Sequence, residues 1–213
     1  MGERPIPRGL YALTDTQLLP DERIVDGVAQ ALAGGAAMVQ YRDKGTDRER
    51  RADIAARLRE VCRRFGRPLI INDDPELALE VGADGVHLGV DDKDPHQARA
   101  LLGKNAIIGI TCHTSIERAR HFAGDPADYV AFGRFFPSRT KSGPVHASPE
   151  LLTQAQALGV PSVAIGGITV DNAAALIDAG ADLIAVVHGL FSASDIQARA
   201  RALSQLFQTG ADS

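Results

Sequence analysis

The segment Gln40-Tyr41-Arg42-Asp43-Lys44 sets an amide and two cations at alternate positions. In extended backbone alternate side chains share a face, so Gln40, Arg42 and Lys44 are expected to point together. Arginine contributes a bidentate fork and lysine a mobile point charge, a combination suited to an anion such as phosphate. The plainer alternative is a salt-bridged strand end. A second group is acidic. Two apolar runs, Leu69-Ile70-Ile71 and Gly85-Val86-His87-Leu88-Gly89-Val90, pass directly into Asn72-Asp73-Asp74 and Asp91-Asp92. Carboxylates gathered at matching ends of neighbouring segments repel unless something positive comes between them. Mg2+ takes one or two carboxylates, keeps several waters and completes its shell with substrate phosphate oxygens. A diphosphate with Mg2+ would reconcile the cationic face with the acids. Helix capping is the alternative, and it suits Asp74, which precedes Pro75. Asp73 and the second pair are left for the metal, and Gly89 breaks the alternation that would choose between Asp91 and Asp92.

Two further stretches carry polar chemistry. Phe132–Pro144, FGRFFPSRTKSGP, mixes hydroxyls, cations, Gly and Pro over a length unusual for a connection. It reads either as an anion-binding flap or as a solvated loop. Gly166-Gly167 and His188-Gly189 follow the last two apolar runs, where backbone amides can cradle a phosphate. Positive charge in this chain is mostly arginine; lysine stands only at Lys44, Lys93, Lys104 and Lys141. Lys93 and Lys104 read as surface residues. His87 and His113 are tempting bases, but a histidine on a strand or loop is more often structural, and neither is given a role.

The elements that position these groups alternate along the chain. Strands are expected at Gly9, Ala37, Pro68, Asp84, Ala106, Asp128, Pro161 and Asp182, with helices between them. Thr46-Asp47-Arg48-Glu49 reads as a capping box, and Asp74-Pro75 and Ser148-Pro149 as an N-cap followed by a first-turn proline. Gly82-Ala83-Asp84, Gly180-Ala181-Asp182, Gly35-Ala36-Ala37 and, less closely, Pro126-Ala127-Asp128 each precede a strand, an echo expected of repeated βα units. Eight such units, with strands apolar on both faces, predict a closed (β/α)8 TIM barrel. An open doubly wound sheet is the rival, and no GxGxxG turn supports it. Chemistry in the barrel sits at the C-terminal strand ends. There lie Gln40 to Lys44, both acidic groups, Thr111-Cys112-His113 and the glycine pairs. A single domain over residues 1–213 with short flexible termini is expected.

Composition excludes several classes. A net charge of -4 argues against nucleic acid. Cys62 and Cys112 make neither a disulfide framework nor a zinc site. The N-terminal residues lack the apolar core of a signal peptide, and no run approaches the ~20 apolar residues of a membrane span. A cytoplasmic protein acting on small molecules is expected, and an oligomer is allowed.

Taken in order, YALTD, VQYRDKG, INDD, ADGVHLG with Asp92, FGRFFPSRTKSGP and AIGGIT resemble the thiamine-phosphate synthase family over nearly the whole chain. The resemblance implies joining hydroxymethylpyrimidine diphosphate to hydroxyethylthiazole phosphate, with Mg2+, to give thiamine phosphate and diphosphate. It places Gln40, Arg42, Lys44 and Asn72 around the pyrimidine diphosphate, with Thr111 and Lys141 also on the diphosphate. It chooses Asp92, with Asp73, for Mg2+. It assigns Ser138, Thr140, Gly167, Val187 and His188 to the thiazole phosphate, and charge stabilisation on the leaving group to Arg42, Lys44 and Lys141. Ser138, Thr111, Val90 and His188 stand where threonine, serine, glutamine and serine are common in the family. Rivals are the thiazole tautomerase of the same superfamily, a non-catalytic phosphate-binding barrel and a Schiff-base aldolase using Lys44 or Lys141.

Overall fold

The computed structural model describes residues 6–137 and 147–209. Eight strands, β1 (Gly9–Leu13), β2 (Met38–Tyr41), β3 (Leu69–Asn72), β4 (Gly85–Leu88), β5 (Ile107–His113), β6 (Tyr129–Gly133), β7 (Ser162–Ile165) and β8 (Leu183–Val186), coincide with the eight apolar runs. Each pairs in parallel with the next, and β8 pairs with β1, so the sheet closes into the (β/α)8 barrel. Helices α1 (Asp21–Ala33), α2 (Arg48–Arg64), α3 (Pro75–Val81), α4 (Pro95–Leu102), α5 (Ile116–Phe122), α6 (Glu150–Ala155) and α7 (Ala173–Asp178) follow the first seven strands. After β8 come a four-residue helix, α8 (His188–Phe191), and the long α9 (Ile196–Thr209). No helix among the described residues is long and apolar enough to cross a membrane.

The two-faced strands are explained by two apolar layers. Leu10, Val39, Leu69, Val86, Ile108 and Val130 pack outward with the helices. Tyr11, Met38, Ile70, Ile107, Tyr129 and Leu183 belong to a separate cluster that fills the barrel. Tyr11 and Tyr129 are fully buried there, ring edge to ring face at 6.0 Å. Gly109 makes room for them: a Cβ at this position would be driven into the Tyr129 ring.

The glycine-containing echo now has a mechanism. Gly82 closes α3 in the left-handed conformation (φ 62°), which glycine adopts without penalty. Two residues on, Asp84 exchanges a pair of hydrogen bonds with the first residue of the strand beside it. The Asp84 N–H donates to the Leu69 carbonyl and its carboxylate accepts from the Leu69 N–H, both at 2.9 Å. Asp128 makes the same pair with Ile108, the second residue of β5 (2.7 and 2.6 Å), and Asp182 with Ser162, the first of β7 (3.0 and 2.9 Å). Three aspartates thus complete the backbone pairing at the base of three odd-numbered strands. Gly35-Ala36-Ala37 keeps the turn without the carboxylate.

Helix starts needed two corrections. Asp47, not Thr46, caps α2: it holds the extended dihedrals of a cap and accepts from the Arg50 N–H at 3.0 Å. Glu49 is therefore one position short of completing a capping box. At Ser148-Pro149 the helix begins one residue later, at Glu150, with Pro149 in the cap position and no side-chain cap; the Ser148 hydroxyl instead binds the Glu150 carboxylate. Asp74 caps α3 as expected, accepting from Leu77 N–H at 2.8 Å with Pro75 in the first turn.

Candidate active site

Beyond Met38, the alternation read in QYRDK is realised. Tyr41 and Asp43 turn toward α2: the Tyr41 hydroxyl donates to Asp43 at 3.0 Å, and Arg50 pairs with the same carboxylate at 2.7 Å. Gln40, Arg42 and Lys44 take the other face. Gln40 is buried and donates its amide N–H to the Tyr11 hydroxyl at 2.8 Å. Arg42 is anchored through its backbone to Thr14 Oγ1 at 3.0 Å and lies 3.8 Å from the Asp15 carboxylate. Lys44 reaches across to ion-pair with Asp73.

The ends of β3 and β4 hold the acids. Asp73 sits at φ 64°, a left-handed conformation that Asp tolerates better than most residues. Its N–H donates to the carbonyl of His87 at 2.8 Å, and Asn72 Nδ2 donates to its carboxylate at 2.6 Å. Asp92 accepts from the Gly89 N–H at 2.6 Å, an interaction that folds the Gly89–Asp92 turn back toward β3. As a result the Asp73 and Asp92 carboxyl groups are hydrogen-bonded to each other. Burial and the neighbouring Asp73 push the Asp92 carboxyl up. Burial acts upward on Asp73 too, but its hydrogen bonds with Asp92 and Lys44 outweigh it and hold that carboxyl below its ordinary range. Two acids adopt such contact only with a proton or a cation between them. The pair, with an adjacent amide and lysine, fits Mg2+: hard oxygens, few protein ligands, and open space for water or phosphate. That space is a groove of about 520 Å³ lined by Lys44, Asn72, Asp73 and Asp92, with Arg48 and Arg51 behind. Asp91 does not line it. Asp74 is taken up by its cap and by Arg48 and Arg51, at 3.4 and 3.0 Å.

Across the mouth, Thr111 is half-buried at a bulge in β5, with its hydroxyl 2.9 Å from His87 Nε2. Gly167 lies against Phe136 and Pro137, too closely for a Cβ. Asn172 fixes that turn, donating to the Gly167 carbonyl at 3.0 Å and accepting from Thr169 N–H at 2.8 Å. Val187 flanks α8 and His188 opens it, both half-buried. Ser138, Thr140 and Lys141 fall outside the described residues. Sequence reasoning missed the part played by Tyr11, Tyr129 and His87, which lie in one hydrogen-bonded chain with Gln40 and Thr111. Nothing local marks them, because their partners are distant in sequence.

Fold and mouth together define a (β/α)8-barrel protein with cationic side chains and paired carboxyls at the C-terminal ends of its strands. The family model described as thiamine monophosphate synthase matches residues 10–190, and the chain belongs to that family. It is 56% identical to the thiamine-phosphate synthase of Marinobacter nauticus over 201 residues, covering 93% of this chain and 90% of that one. The thiamine-phosphate synthase of Nitrosococcus oceani is 52% identical, with 94% and 93% covered. Among solved structures, thiamine phosphate pyrophosphorylase from Pyrococcus furiosus superposes with a TM-score of 0.85 at 32% identity, over 94% of this chain and 96% of that one.

Proposed function

We infer that this chain is a transferase that joins hydroxymethylpyrimidine diphosphate to hydroxyethylthiazole phosphate, giving thiamine phosphate and diphosphate in thiamine biosynthesis. Within a family of that activity, the observation that carries the inference to this chain is the meeting of Asp73, Asp92, Lys44 and Asn72 in one groove. A thiazole tautomerase or a passive phosphate binder would have no use for paired carboxyls beside a lysine.

Asp73 and Asp92 are the groups that would hold Mg2+, which when bound neutralises charge on the diphosphate. Arg42 and Lys44, with Lys141, would receive the negative charge that builds as the carbon–oxygen bond breaks and its electron pair leaves with diphosphate. Asn72 and Gln40 would hold the pyrimidine end. The amino-substituted ring stabilises the carbocation left behind, and the thiazole nitrogen closes the new carbon–nitrogen bond with its lone pair. No nucleophile is needed from the protein; its work is alignment and charge stabilisation. Ser138, Thr140, Gly167, Val187 and His188 would bind the thiazole phosphate. The test is to mix the protein with both substrates and Mg2+ and assay thiamine phosphate. Product that appears only when all three are present is expected. Its absence from a folded preparation would overturn the assignment.

A further inference from the structure

The buried chain inside the barrel has a direction. Gln40 Nε2 donates to the Tyr11 hydroxyl at 2.8 Å. Tyr11 in turn lies 2.9 Å from the Tyr129 hydroxyl, which lies 2.9 Å from His87 Nδ1. His87 Nε2 lies 2.9 Å from Thr111 Oγ1. Burial raises the Tyr11 and Tyr129 hydroxyls above their ordinary range, so both stay protonated and act as neutral donors.

A buried hydroxyl has one hydrogen to give and should not leave it unpaired. Tyr11 already accepts from an amide N–H, which is a donor only. Its own hydrogen goes to the Tyr129 oxygen. Tyr129, having accepted, gives its hydrogen to His87 Nδ1. The imidazole therefore accepts at Nδ1, carries its proton on Nε2 and donates it to Thr111 Oγ1. A proton on Nδ1 would point at the Tyr129 oxygen and leave one of the two tyrosine hydrogens without an acceptor. At the far end Thr111 accepts from His87, and its own hydrogen is left for a different acceptor.

We propose that His87 is a positioning residue: with Tyr11 and Tyr129 it commits the Thr111 hydroxyl to donate toward a phosphate oxygen in the mouth. This rests on the placement of Thr111 at the diphosphate given above. A hydroxyl free to rotate spends part of its time accepting, which is useless to an anion. One that already accepts from His87 must turn its hydrogen away from the imidazole, toward another acceptor. The tyrosines and histidine thereby act on a substrate that they do not touch.

Three measurements test it. The first needs no variant: 15N shifts of the imidazole in the parent protein, assigned with His87→Gln, should show His87 protonated at Nε2 and bare at Nδ1. A proton on Nδ1 or an exchanging mixture overturns the proposal. The second is calorimetric titration with inorganic pyrophosphate and Mg2+. Tyr129→Phe and Thr111→Val should each weaken binding by about tenfold, the usual scale of a hydrogen bond to a charged group. The double variant should be no weaker than Thr111→Val alone, because the tyrosine acts through the threonine. Additive losses would make Tyr129 merely structural and overturn the proposal, as would tight binding by Tyr129→Phe. The Michaelis constant should rise for the pyrimidine diphosphate and stay level for the thiazole phosphate. A parent that forms no thiamine phosphate would sink the proposed function but leave the tautomer and the pyrophosphate cycle readable.

Discussion

Aspartates sit at both ends of this barrel, and they are treated in opposite ways. At the base, Asp84, Asp128 and Asp182 each accept a strand N–H that would otherwise be orphaned, and Asp84 and Asp128 also have arginine partners, Arg59 at 3.6 Å and Arg99 at 2.6 Å. Their charge is answered by the chain itself. At the mouth, Asp73 and Asp92 face one another, with Lys44 on one of them. Negative charge there is drawn together rather than dispersed. The same residue type thus completes the fold where it is satisfied, and marks the chemistry where it is not. Like-charge contact of this kind is a cost that persists only where something else depends on it.

The comparison can be broken by exchange of single residues. The largest effect is expected at the mouth. Asp73→Asn and Asp92→Asn should each raise the Mg2+ needed for half-maximal thiamine phosphate formation and lower the plateau by roughly a hundredfold, since a metal with few protein ligands loses one. Asp92→Asn should not melt earlier than the parent, because it removes the acid that burial and Asp73 push up. A wild-type Mg2+ curve in both would remove the metal from the mouth.

At the base the signs reverse. Asp128→Ala should cost about 1–3 kcal/mol of stability, the usual consequence of stranding a buried N–H, while activity per folded molecule stays near that of the parent. Denaturant titration and the condensation assay, run on one preparation, separate the two. Unchanged stability would deny the base aspartates their structural role.

A smaller effect links the ends. Mg2+ at about ten times its dissociation constant should add about 1.4 kcal/mol to the parent's stability, readable as a rise in melting temperature. Asp128→Ala should keep that increment and Asp73→Asn should lose it. Smallest of all is Asp91→Ala, which should shift the Mg2+ curve only slightly through weakened long-range attraction. A strong shift there, with Asp92→Asn silent, would move the ligand by one residue.

Much of this contrast was legible before the structure. Eight apolar runs carry a strand signal that survives tertiary context, because both faces are buried and no competing periodicity exists. The acidic ends of β3 and β4 were legible for the same reason: strand order put them side by side. Where local rules tie, the sequence could not decide. Thr46 and Asp47 both suit a cap, and only the path of the chain out of β2 selects Asp47. Gly89 ended the alternation, so the turn that brings Asp92 onto Asp73 had to come from the Gly89 N–H contact. The interior chain was invisible altogether. Tyr11 and Tyr129 looked like core residues, which they also are, and their hydroxyls meet across 118 positions. The Asp at each helix-to-strand junction was noticed as an echo, but its hydrogen bonds belong to a neighbouring strand and no periodicity reports them.

Gly109 gives the barrel interior a history-dependent character. Because a methyl group there would strike ring carbons of Tyr129 as well as its hydroxyl, replacing the tyrosine by phenylalanine does not make Gly109→Ala acceptable. Only a small side chain at position 129 would, and that change removes the hydroxyl leading to His87. The two positions are therefore epistatic: enlarging residue 109 is harmful while Tyr129 stands and tolerable once residue 129 is small. Sequence drift that enlarges residue 109 must first dismantle the hydrogen-bonded chain, so an inert-looking glycine on β5 guards the orientation of a hydroxyl two residues further along its own strand.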